Sequence, residues 1–251
     1  MNSKDTTATS KQTCSQPYAL IRNSACQDTS PDHPMRELAH LTTLIYNGIL
    51  RGLNSSYNHA EAVSSSSTAQ NLAFLRFNQC LCDIINYQIE TVIDKYLFQE
   101  LKRDSDDLVT QQAALNDQLE SYKEYVYSTE AQDLDGSKLR AHIHTFAPAL
   151  REYLVHHIAW ILTHGKLDKA YCKKLTFEVC GLSAKPVDSE LLQVLLLCLQ
   201  DREFPVDGRK EVFPELPWWK SFYYSWTLAR EHQDMLSFAP SDCYDARRNS
   251  S

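Results

Sequence analysis

The chain has 251 residues, with 25 Lys and Arg against 32 Asp and Glu, a formal net charge of −7. Such a balance offers no basic surface to displace counterions from nucleic acid or an anionic membrane. The hydrophobic fraction of 43% is enough for one sizeable core. The longest apolar run, LLQVLLLCL at 191–199, is too short to cross a bilayer, and MNSKDTTATSKQTCSQ at the start lacks the apolar stretch of an export signal. The expectation is an intracellular, cytoplasmic protein with a small-molecule partner, no nucleic acid and no membrane span, its oligomeric state left open.

Residues 1–33 are rich in Ser, Thr, Asp and Gln and read as a disordered N-terminal tail, and residues 246–251 as a second tail. Between them, residues 34–245 carry helical apolar spacing. Leu38, Leu41, Ile45, Ile49 and Leu53 mark a first helix, and NSSYNHAEAVSSSSTAQ reads as the linker that follows. A long second helix over 68–101 presents Phe74, Phe77, Leu81, Ile85, Ile89, Val92 and Tyr96 on one face. A third runs through Leu108, Leu115, Leu119, Tyr122 and Val126, with Gly136 as its stop signal. The fourth, HTFAPALREYLVHHIAWILTHG at 144–165, has a stripe of Ile143, Phe146, Leu150, Leu154, Ile158 and Ile161, with Tyr153 and His157 one turn apart beside it.

Two shorter helices over 167–181 and 187–200 come next, and then an aromatic segment over 213–245 that reads as a helical cap or pocket wall. With six glycines and no internal repeat, the expected fold is all-α, an up-down bundle of four long helices with added C-terminal helices. The eight cysteines lie mostly in apolar helical pattern and are expected as reduced, packed thiols. Cys80 and Cys82 point about 200° apart on one helix, poorly placed for a shared zinc.

IYNGILRGLNSSY at 45–57 and FPELPWWKSFYYSW…REHQDMLSFAPSDCYD near the C-terminus resemble the fungal hemerythrin-like proteins, and with the helix pattern between them the likeness spans about 35–245. That family has a first helix of the form His-Asn-x-x-Ile-Arg-Gly-Leu-Asn and a second with a His-rich run ending in Glu-Glu. Its third helix carries Gln-His-x-x-Phe and its fourth Phe-x-x-x-Leu-x-x-His-Leu-x-x-Glu-Ile. The resemblance implies a helical bundle whose members hold a di-iron centre between the helices.

Matched to those motifs, the ligand positions are lost. The first-helix histidine falls on Tyr46 and the third-helix histidine on Gln112, with Leu115 for the aromatic. In the second helix the histidine falls on Ile89 or Glu90 and the carboxylate on Asp94. In the fourth, Phe146 is retained while histidine has become Tyr153 and glutamate His157. Glu90, Asp94 and His157 are what remains for a single ion, and the expectation is no metal and no cofactor.

Two alternatives follow for Tyr46, Gln112, Tyr153 and His157. They form a polar network that fills the vacated space, or they line a mostly apolar pocket as its hydrogen-bonding groups. The chain shows no Gly-rich phosphate loop and no Gly-x-Ser-x-Gly elbow, which disfavours cofactor redox chemistry and serine hydrolysis. Members of the family without iron ligands occur among secondary-metabolite enzymes. The resemblance therefore implies a metal-independent cyclase or pericyclase, of intramolecular Diels–Alder type, acting on an apolar carbonyl-bearing terpenoid. Tyr46, Gln112, Tyr153 and His157 are its candidate catalytic residues, and Phe74, Phe77, Glu90, Asp94, Leu115, Phe146, Trp218 and Trp219 its candidate substrate-binding ones. The alternative is a non-catalytic small-molecule-binding protein on the same degenerate scaffold.

Overall fold

A computed structural model describes residues 16–22, 29–63, 66–101, 106–184, 189–200, 227 and 229–240. Among them every regular element is helical, so the fold is all-α. The helices are α1 (Arg36–Val63), α2 (Thr68–Asn86), α3 (Asp106–Ser128), α4 (Gly136–Thr163), α5 (Lys169–Ser183), α6 (Glu190–Cys198), α7 (Ala229–Glu231) and α8 (Gln233–Leu236). A π-helical stretch, Tyr87–Leu97, continues α2 and ends in one α turn, Phe98–Glu100. No helix among the described residues is long and apolar enough to cross a membrane.

Side-chain hydrogen bonds fix how the long helices pair. Ser56 Oγ donates to Asn78 Oδ1, and Gly52 lies against Leu81, so α1 and α2 run antiparallel. Arg140 pairs with Glu61 at 2.8 Å while Tyr46 meets His157 at 2.7 Å, which makes α1 and α4 antiparallel as well. Ser121 meets His142 and Gln111 meets His156, giving the same relation between α3 and α4. The core between these helices is continuous and holds Leu38, Ile49, Leu53, Leu81, Ile85, Leu115, Leu150, Leu154 and Ile161, all almost without solvent contact.

Several sequence expectations shift. Helix α1 runs ten residues beyond Leu53, through much of the expected linker, because its polar residues there have tertiary partners. Asn54 bonds Tyr18, Ser55 Oγ donates to Phe238 O at 2.6 Å, and Ser56 bonds Asn78. Packing supplied what propensity withheld. The helix break before α2 falls just ahead of Ser67, whose Oγ accepts from the Gln70 N–H. Gly136 begins α4 rather than ending α3: Asp135 accepts from the Ser137 and Lys138 N–H groups and sets the start there. Residues 16–22, expected in a disordered tail, pack on α1 with Tyr18 and Ile21 buried.

Cys80, Cys82, Cys172 and Cys180 are free thiols, as expected, but Cys198 is disulfide-bonded, and its partner lies outside the described residues. The expectation of uniformly reduced cysteines is corrected to that extent.

Candidate functional site

Tyr46 on α1 and Tyr153 and His157 on α4 meet inside the molecule, each at most 2% exposed. Positions 153 and 157 are one turn apart and so share a face of α4. The Tyr46 hydroxyl lies 2.7 Å from His157 Nδ1. Three more aromatic rings enclose the imidazole. Tyr153 stacks on it at 6.5 Å between centroids, Trp160 stacks at 5.5 Å, and Phe98 meets it edge-on at 5.8 Å. Phe98 in turn meets Trp160 edge-on at 5.0 Å.

Such surroundings solvate no charge. Burial holds the His157 imidazole down at about 3, so it is neutral at physiological pH. Burial, with Tyr153 next in importance, pushes the Tyr46 phenol well above its ordinary range, so it keeps its proton. Two tautomers fit this contact, and in the one where the neutral phenol donates to Nδ1 the imidazole proton sits on Nε2. Nε2 is itself buried and has no hydrogen-bond partner among the described residues. In that tautomer Nε2–H is a buried hydrogen-bond donor left about 1–3 kcal/mol short of satisfaction.

The register of α3 brings Gln112 to the same level. Gln111 and His156 hydrogen-bond at the surface at 2.9 Å, and the next residue on each helix, Gln112 and His157, is buried. Leu115 is buried three residues further along α3.

The remaining lining candidates separate from this group. Phe74 and Phe77 pack against Phe238, at 4.9 and 6.4 Å between centroids. That end of α1 carries Ser55, bonded to Phe238 and nine residues from Tyr46, about 13 Å along the helix. Phe146 packs against Tyr122 at 4.9 Å, and Tyr122 donates to Asn78 at the same end. These phenylalanines fill the core away from the Tyr46–His157 pair, because helical spacing reports a face and says nothing of the level along it.

Glu90 is exposed and Asp94 only half-buried, which corrects their assignment to the interior. Glu90 and Asp94 were placed by the motif of the resemblance, whereas the apolar spacing from Ile85 runs to Ile89 and Val92, and these two stay inward through the π-helical stretch. The inward residues there are Gln88, Ile89, Val92, Ile93 and Leu97. Among the described residues no three His, Cys, Asp or Glu side chains converge as metal ligands do. Trp218 and Trp219 lie outside the described residues.

Sequence reasoning passed over four residues that matter here. Phe98 and Trp160 form two walls of the His157 box. Thr42 lies one turn from Tyr46 on α1, and its buried Oγ1 has no partner among the described residues. Gln88 is 1% exposed, its Oε1 accepts from Ser183 Oγ at 3.3 Å, and its Nε2 has no partner among the described residues. An aromatic spaced three residues from His157 was a visible signal for Trp160, whereas nothing local announces a π-helix.

Compared with protein-family models, curated proteins and solved structures, the chain matches none.

Proposed function

We propose that the chain is a metal-independent cyclase of fungal secondary metabolism, closing a ring by intramolecular Diels–Alder cycloaddition within an apolar, carbonyl-bearing terpenoid. Its motifs look most like those of the norbornene-forming Diels–Alderase of sordarin-type diterpenoid biosynthesis, an antibiotic pathway. One observation carries the reading: a neutral, deeply buried imidazole, held by Tyr46 at Nδ1, keeps its Nε2 without a partner among the described residues, inside an aromatic box.

Cycloaddition asks for little more. Two carbon–carbon σ bonds form from the π electrons of diene and dienophile, with no proton transferred and no group expelled. What accelerates it is confinement of a flexible chain in a reactive conformer, together with a hydrogen bond that strengthens as electron density moves onto the dienophile carbonyl. In this reading His157 Nε2–H donates to that carbonyl and is the catalytic residue. Tyr46 is a positioning residue, since it holds the tautomer, and Tyr153, Phe98 and Trp160 exclude water, which strengthens the bond. Gln112 and Thr42 are further polar groups at or near this level.

The test uses a polyene carrying a diene and an α,β-unsaturated carbonyl. Chelator-treated protein is expected to close the ring with multiple turnover, and His157→Asn to lower kcat about 10- to 100-fold, the equivalent of one buried hydrogen bond. Binding without turnover would favour the non-catalytic alternative.

A further inference from the structure

Asn47 and Asn54 belong to the stretch that carries the family resemblance, yet no part of the proposed chemistry uses them. They face residues 16–22, a segment without regular secondary structure. Asn54 Oδ1 accepts from the Tyr18 N–H at 2.9 Å, and its Nδ2 donates to the Tyr18 carbonyl at 2.9 Å. Asn47 repeats the pattern on Ile21, accepting from its N–H at 2.7 Å and donating to its carbonyl at 3.0 Å. Each carboxamide thus satisfies both backbone groups of one residue, as a neighbouring β-strand does.

The spacing fits the task. Positions 47 and 54 are two helical turns apart, about 10.5 Å. Three residues of extended chain, from Tyr18 to Ile21, span about 10 Å. Tyr18 and Ile21 are 4% and 6% exposed, while Ala19 between them is exposed. The pair of asparagines therefore reads backbone, and two buried side chains supply the anchors.

The strap lies across the α1–α4 seam, because Arg151 Nε on α4 donates to the Ala19 carbonyl at 2.6 Å. Tyr46 and His157 bridge this same seam. Tyr46 adjoins Asn47 in the chain, and Tyr153 lies two residues beyond Arg151. Since Tyr46, Tyr153 and His157 are buried, a ligand reaches them only if something moves. Among the described residues, 16–22 make no backbone–backbone hydrogen bond, whereas the helices on either side are held by their own. Moreover, the buried Tyr18 hydroxyl has no partner among the described residues.

We propose that Asn47 and Asn54 form a backbone-reading clamp for an extended peptide, filled by residues 18–21 of the chain itself, and that release of this strap admits the ligand to the Tyr46–His157 pair. The second half rests on the reading of that pair as the ligand site.

The test uses the full chain and two readouts, neither of which involves turnover. The first is hydrogen exchange of the Tyr18 and Ile21 amides against the amides of Leu50 and Leu53 in α1. The second is modification of His157 by diethyl pyrocarbonate, with exposed His144 as internal reference. In the wild type the strap amides are expected to exchange at least 10-fold faster than the α1 amides. The double variant Asn47→Ala, Asn54→Ala is expected to raise strap exchange and the His157:His144 modification ratio at least 10-fold. Asn54→Asp, which keeps the acceptor and loses the donor, is the milder variant if the double one fails to fold, and it moves both readouts the same way. Strap amides exchanging at the α1 rate in the wild type overturn the clamp as a releasable element. Faster strap exchange with an unchanged His157 ratio overturns the access route. Absence of ring closure with both readouts as expected overturns the cyclase reading and leaves the strap standing.

Discussion

The buried imidazole makes stability depend on pH in a way that one substitution isolates. His157 has an ordinary value of 6.5 that burial lowers to about 3 in the folded chain. Below pH 6.5 the unfolded chain takes up a proton at this residue and the folded chain does not, so acid favours unfolding. The stabilising contribution is complete above the unfolded value and is lost as pH falls towards the folded one. The loss amounts to about 2 kcal/mol between pH 7 and pH 5 and about 4 kcal/mol by pH 3, at roughly 1.4 kcal/mol per unit. Urea denaturation at several pH values would measure it on the wild type and on His157→Asn, where Oδ1 still accepts from Tyr46 but nothing titrates. The variant carries a constant offset from the cavity it creates, which the slopes ignore. Between pH 6 and pH 4 the wild type should lose stability by one proton's worth more per pH unit than the variant. Parallel slopes would mean that His157 is solvated when folded, and the hydrogen-bonding argument built on its neutrality would fall with them.

Two other outcomes follow from the packing. A Cβ at Gly52 would stand 2.7 Å from Leu81 Cδ1 and 3.0 Å from Leu199 Cδ2, so Gly52→Ala should destabilise the fold by about 1–3 kcal/mol in urea through overpacking. An unchanged or raised midpoint would show that the α1–α2–α6 contact is looser than described. The Cys80 and Cys82 thiols are each pushed up to about 12, chiefly by burial and next by the neighbouring Asp83. As the thiolate is the reactive form, both should resist iodoacetamide at pH 8 in the folded protein and react in urea, as mass spectrometry of the two peptides would show. Folded-state labelling at the rate of a free thiol would contradict their burial. The sign for stability is opposite to that of His157: the contribution is intact below about pH 9 and lost as pH rises towards 12.

The all-α class was legible because a period of three to four residues in apolar positions survives without any knowledge of partners. Helix limits were less so. Asn54, Ser55 and Ser56 look like a linker by propensity, yet each is tied to a residue distant in sequence, and the helix continues through them. Tyr46, Tyr153 and His157 were legible as a group because the resemblance placed all three on inward positions of their helices. Glu90 was misplaced because it was set by the motif of the resemblance, while the apolar spacing through Ile85, Ile89 and Val92, which holds in the structure, leaves it off the inward face. Phe74, Phe77 and Phe146 were assigned to the right face and the wrong level. Their level depends on the register between helices, which hydrogen bonds such as Ser56–Asn78 set. The roles of Asn47 and Asn54 were hidden for a related reason, since their partners are backbone groups nearly thirty residues or more away.

The measurement closest to the central claim is multiple-turnover ring closure by metal-stripped protein, with wild type, His157→Asn and Tyr46→Phe compared on one diene-bearing α,β-unsaturated carbonyl substrate. The account predicts turnover that survives chelation. It also predicts a loss of about 10- to 100-fold in kcat for His157→Asn, and for Tyr46→Phe a smaller loss, accompanied by a shift of the His157 proton between ring nitrogens in ¹⁵N spectra. Substrate bound with no product formed, or a rate indifferent to both substitutions, would contradict it.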